Sequence, residues 1–118
     1  AGRYEAARPA GDPLAGWRDA LTGGDAERGK RVFFGKPEVA CQRCHRVAWS
    51  GGEVGPELTK VGATRDREYL LEAVARPDAQ VAEGYGTTVL QLVDGRTLTG
   101  VVKTETEGFV VLADGEGR

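Results

Sequence analysis

The stretch "CQRCH", Cys41-Gln42-Arg43-Cys44-His45, holds every cysteine and every histidine of a 118-residue chain. C-x-x-C-H is the spacing of a covalent haem attachment site. On a tight helical turn, two thiols three positions apart reach the two vinyl groups of one haem, and the imidazole of the next residue lies under the iron. Cys41 and Cys44 are therefore the expected attachment points and His45 the expected proximal ligand of the iron. The other ring nitrogen of such a histidine needs an acceptor to fix its tautomer. A backbone carbonyl of the "GPEL" loop, near Pro56, is the expected one.

Three other chemistries compete for the same residues. A zinc site would have only three soft ligands here, and the adjacent Cys44 and His45 do not easily point at one metal. A thioredoxin-type dithiol normally belongs to a βαβ context, which the flanking sequence lacks. A structural disulfide or a chance cysteine pair is the third. Haem is the strongest of the four.

Working outward from the motif, "GGDAERGKRVFFGKP" reads as a helix with Asp25 at its N-cap, Ala26, Val32 and Phe33 facing inward, and Gly35 and Pro37 as its stop. "VACQRCHRVAWSGGEVGPEL" reads as a short helical turn and a glycine-rich loop. "TRDREYLLEAVARPDAQV" is the clearest helix, with Thr64 as cap, Asp66 and Glu68 in the positive first turn, and Pro77 as terminator. Its stripe of Tyr69, Leu70, Ala73 and Val74 predicts core packing. After Gly84 the period changes to two, Asp94-Gly95 reads as a two-residue hairpin turn, and Glu107-Gly108 marks a second turn. A β-meander of about three strands follows, whose open edges invite a partner or a second copy of the chain. The division expected is an N-terminal extension over 1–24, with a short helical turn at Leu14–Leu21, a haem-binding core over 25–84 and the meander over 85–118.

Composition narrows the function. Charged residues are 29% and hydrophobic residues 40% of the chain, a soluble globular balance. The longest apolar run, Phe109 to Ala113, is too short to cross a bilayer. Residues 1–47 carry nine Lys/Arg against six Asp/Glu, and residues 48–118 carry seven against twelve. The basic excess, Lys30, Arg31, Lys36, Arg43 and Arg46, surrounds the motif. It is either a solvated face or a docking face for an acidic partner. An acidic chain without a basic stripe interleaved with aromatics excludes nucleic acid as the expected partner. The chain contains no methionine, so Ala1 is not a translation start. A removed signal peptide, a larger domain or an expression segment would account for that, and whether the chain is truncated at either end stays open.

The segments "GDAERGKRVFF", "CQRCH", "GGEVGPELTKVG" and "REYLLEAVARP", in this order, resemble the core of a class I cytochrome c. The continuation "VAEGYGTTVLQLVDGRTLTGVVKTETEGFVVL" is similar to the haem-binding domain at the C-terminal end of large membrane-bound dehydrogenase-like proteins of planctomycetes and verrucomicrobia. The resemblance covers about residues 24–113. It implies a mainly α cytochrome c-like core with the β-meander appended. It also implies that Pro56 sits against the proximal side, that Arg65 meets a haem propionate, and that Phe33, Leu58, Val61 and Leu70 line the pocket. Each has a plainer alternative, Arg65 as a surface arginine and the four apolar residues as ordinary core.

The chain departs from the family at the distal ligand. A class I cytochrome supplies a methionine from the loop that here reads "DAQVAEGYGTT". In the resembling domains a Met-Pro segment and a final helix follow the meander, and this chain stops before any such segment. The sixth ligand then comes from beyond Arg118 or another chain, from Tyr85 or Lys60, or the position is open. Tyr85 is alternatively a packed aromatic or a propionate partner. Without a thioether the potential is expected to lie below that of a His/Met cytochrome. The function expected is electron transfer by one covalently bound haem c and its iron, not enzymatic catalysis, with a dehydrogenase or another cytochrome as redox partner. Haem c is attached outside the cytoplasm, so a periplasmic or other extracytoplasmic location is expected. The alternatives are a five-coordinate haem that binds a small gas and a haem-bearing interaction module of a larger dehydrogenase.

Overall fold

Glycine and proline keep the regular elements short in the computed structural model, which describes residues 11–116. A 3-10 turn at Arg18–Leu21 precedes α1 (Ala26–Gly35), α2 (Cys41–Cys44), β1 (Arg46–Val47), β2 (Ser50–Gly51), α3 (Val61–Thr64) and α4 (Arg67–Ala75). Three strands follow, β3 (Thr87–Gln91), β4 (Thr97–Glu105) and β5 (Val110–Ala113). β1 pairs with β2, and β3, β4 and β5 form a second antiparallel sheet in that order.

Helix accounts for 29% and strand for 21% of the described residues, which corrects the expected mainly α cytochrome c-like core to a mixed fold. The reason is local. Only α1 and α4, with 10 and 9 residues, exceed two turns, while α2 and α3 are single turns of 4 residues each. Helices this short do not persist without packing partners. The residues after the Cys motif fold into the β1–β2 hairpin instead of extending helix or irregular loop.

Helix α1 begins where expected, with the Asp25 carboxylate accepting from the Arg28 amide at 2.9 Å. Val32, expected to face inward, is 42% exposed, and Ala26 is exposed as well. Helix α4 is capped by Asp66, which accepts from the Tyr69 amide at 2.8 Å, and not by Thr64. Thr64 instead ends α3, where its hydroxyl donates back to the Lys60 carbonyl at 3.3 Å. The expected core stripe is correspondingly incomplete: Tyr69 and Leu70 are half-buried, but Ala73 is exposed and Val74 is 83% exposed.

Residues 1–10 of the expected extension lie outside the described residues. The part that follows is tied to α4. Arg18 pairs with Glu68 at 3.1 Å and with Asp12, and Arg67 donates to the Leu21 carbonyl at 3.0 Å. Asp12 also accepts from the Leu14 amide at 2.9 Å, which folds Leu14 inward to 3% exposure. The Arg18 guanidinium, helped by the Leu14 amide, holds the Asp12 carboxyl below the usual carboxylate range. Arg18 is in turn held more firmly protonated by Asp12 and then by Glu68.

In the C-terminal sheet, the β3–β4 connection is a three-residue loop, Val93-Asp94-Gly95, not the two-residue turn expected from Asp94-Gly95. Gly95 donates to the Leu92 carbonyl at 3.0 Å and takes φ +89°, the left-handed residue that closes a turn of this length. β4 and β5 lose register between Val102 and Thr104, leaving Lys103 as a bulge. Among the described residues no helix is long and apolar enough to cross a membrane.

Candidate functional site

The motif turn is built by backbone geometry on both sides. Ala40 takes the left-handed conformation, φ +54°, and starts α2. The His45 amide closes the turn on the Cys41 carbonyl at 3.0 Å, and His45 then leaves the helix in extended conformation. The chain reverses through β1 and β2 and zips back along the motif. Gly52 donates to Gln42, Gly55 to Cys44 and Leu58 to Arg46, each amide 2.8 Å from the carbonyl it meets. Gln42 adds a side-chain bond to the Phe34 carbonyl at 2.8 Å, fastening the turn to the end of α1.

This return path places Pro56 against His45. The His45 Nδ1 lies 2.8 Å from the Pro56 carbonyl oxygen. A carbonyl only accepts, so Nδ1 carries the proton and the lone pair of the neutral ring is left on Nε2. Gly55 packs closely against the imidazole: a Cβ there would stand 2.6 Å from Cε1 and 2.9 Å from Nδ1. Only the absence of a side chain permits that approach. Cys41 and Cys44 are free, half-buried thiols on the same turn. Among the described residues, no group of three or more Cys, His, Asp or Glu is arranged to hold a metal ion. Two free thiols and one oriented imidazole thus share one turn, a set that haem c attachment would use.

The remaining expected residues are distributed more widely. Leu58 and Val61 lie shortly after Pro56 and are half-buried, with the Val61 amide on the Leu58 carbonyl at 3.1 Å. Leu70 is half-buried on α4. Phe33 stands edge-on to Phe34, centroids 4.8 Å apart, in a groove that includes Lys36, Pro37, Gln42 and Arg43 but neither cysteine nor His45. Arg65 is exposed and its guanidinium lies 4.6 Å from the centre of the Tyr69 ring. Lys60 is exposed at the start of α3.

Tyr85 is half-buried in a small pocket with Arg46, Glu53, Gly55, Glu57 and Lys103. Gly55 and Glu57 flank Pro56, so Tyr85 is brought to the loop that holds the Nδ1 edge of His45. The Lys103 ammonium lies 4.9 Å from the centre of its ring. Two features of the site escaped the sequence reading. The close approach of Gly55 had a signal in the density of glycines in "GGEVGP". The involvement of Lys103 had none, because its direction depends on a register shift in β4. No protein-family model matches the chain, and no curated protein is significantly similar to it.

Proposed function

We propose that this chain is a monohaem c-type cytochrome module, related to class I cytochromes, that passes single electrons to or from a partner redox protein. One observation carries the reading: the 2.8 Å contact of His45 Nδ1 with the Pro56 carbonyl, beside two free thiols on one turn. It prepares an imidazole with a protonated Nδ1 and an available Nε2, the form a haem iron requires. When bound, haem c supplies a reversible ferric/ferrous couple and makes no substrate bond. Cys41 and Cys44 would hold it as thioethers. His45 would ligate through Nε2, and the Pro56 carbonyl would keep the Nδ1 proton in place.

Lys36 and Arg43 are exposed and share one groove beside the motif, and neither has an acidic partner among the described residues. They suit docking of an acidic face, on a dehydrogenase or another cytochrome, where charge acts mainly on association rate. Arg46 is engaged by Glu53 and is not part of that rim. Haem c is attached outside the cytoplasm, so the proposed activity belongs to the periplasm or another extracytoplasmic space.

The position of Tyr85 beside the proximal loop favours a second reading. An iron without a protein ligand from this chain on its distal face would bind a small gas. The absorption spectrum of protein made with a haem-attachment system separates the two. Sharp low-spin reduced bands that ignore carbon monoxide support electron transfer. A high-spin spectrum that shifts with carbon monoxide supports gas binding, and absent haem bands overturn both.

A further inference from the structure

In β4, Val102 pairs with Leu112 and Thr104 with Val111, so Lys103 has no partner across the ladder. A bulge of this kind bends the strand and re-aims the extra side chain. Here the Lys103 ammonium donates to the Glu53 backbone carbonyl and stands over the Tyr85 ring. The Glu53 carboxylate pairs with Arg46, the residue that follows His45. Glu53 lies between Gly52 and Gly55, whose amides bond to Gln42 and Cys44 of the motif turn. The same loop then presents the Pro56 carbonyl to His45.

We propose that Lys103 is a positioning residue, aimed by the bulge, that ties the C-terminal sheet to the loop orienting His45. A charged donor on the Glu53 carbonyl restrains the backbone between two motif-binding amides. A partner that contacts the sheet would then act on the imidazole through Glu53. This last consequence rests on His45 as the proximal ligand, whereas the brace itself does not depend on haem.

Amide hydrogen exchange of the full chain tests it. Lys103→Met should speed exchange at Gly52 and Gly55 by roughly tenfold, the effect of losing a charge-assisted hydrogen bond near the surface. The Leu70 amide, bonded to Asp66 within the α4 turn at 3.2 Å, should be unchanged. Lys103→Arg should restore protection, and Tyr85→Leu should give a smaller increase at the same two amides. Unchanged exchange at Gly52 and Gly55 in Lys103→Met overturns the proposal. Equal acceleration at Leu70 also overturns it, because that marks general loss of stability. In haem-loaded protein the midpoint potential should shift in Lys103→Met and return in Lys103→Arg. A potential shift without faster exchange would be an effect of charge alone and overturns the positioning role. If no variant acquires haem, the functional reading fails while the exchange data still decide the brace.

Discussion

At the residue scale, the approach of Gly55 to the His45 ring is a tight constraint of the site. A methyl group at Gly55 would meet the imidazole at 2.6 Å, so either the ring or the loop has to move. Gly55→Ala should cost about 1–3 kcal/mol, as overpacking does elsewhere. It should also lower the yield of haem-attached protein, read as the haem absorbance per protein. Normal yield and normal melting temperature would show that the loop yields freely. Tyr85 makes the opposite prediction. Lys103 holds it beside the loop whose Pro56 carbonyl meets His45 Nδ1, so on the proposed reading it does not ligate the iron. Tyr85→Phe should leave the reduced band positions and spin state unchanged, and a change from low to high spin would overturn that placement. Much of this was legible in the sequence. The C-x-x-C-H spacing marked the expected anchors, and the nearby "GPEL" held the carbonyl that meets His45. The place of Tyr85 was not legible, because only the folded loop shows on which side of His45 it lies.

Elements are limited by their ends, and the ends are decided by single oxygens. Thr64 and Asp66 both have the chemistry of an N-cap, which is why the sequence alone favoured the wrong one. The structure separates them, since Thr64 is consumed by the α3 turn while Asp66 reaches the Tyr69 amide. Asp66→Ala should destabilise the protein by about 1 kcal/mol. Thr64→Ala should do much less, and denaturant melts of the two variants check the difference. The attachment of the N-terminal segment to α4 has a pH dependence. Arg18 lowers the Asp12 carboxyl below its unfolded value. The contribution of that pair is therefore complete above the unfolded value, near pH ~4, and is lost as pH falls through the lowered folded value. Asp12→Asn should weaken the attachment at neutral pH and lose its effect in strong acid. Comparison of Leu14 amide exchange in the two proteins reads this directly. Strand register was less legible than helix ends. Val93-Asp94-Gly95 and Asp94-Gly95 are both good turns by composition, and the backbone chose the longer one.

For the whole molecule, the apolar pattern predicted helices around a core, and the structure shows little core. Leu14 and Val101, 3% and 8% exposed, are the buried apolar side chains of the described residues. Leu58, Val61 and Leu70 are only half-buried. The radius of gyration is 17.7 Å, against roughly 13–14 Å for a compact chain of this length. Periodicity records which side chains avoid water, not how completely neighbouring elements cover them, so the sequence overstated the helical core. Small domains with so little buried apolar surface commonly depend on a cofactor, a metal or a partner for stability. A macrocycle anchored at Cys41 and Cys44 would offer a large apolar surface to such half-buried residues. Haem attachment should therefore stabilise the fold by more than about 3 kcal/mol, the upper value for fully burying one large apolar side chain. The melting temperature of haem-attached protein should exceed that of the Cys41→Ala/Cys44→Ala protein by on the order of 10 °C. Adding free haem to the double variant should recover part of the difference through His45. Equal melting temperatures would show that the elements support themselves, and would separate the stability of the fold from any cofactor it carries.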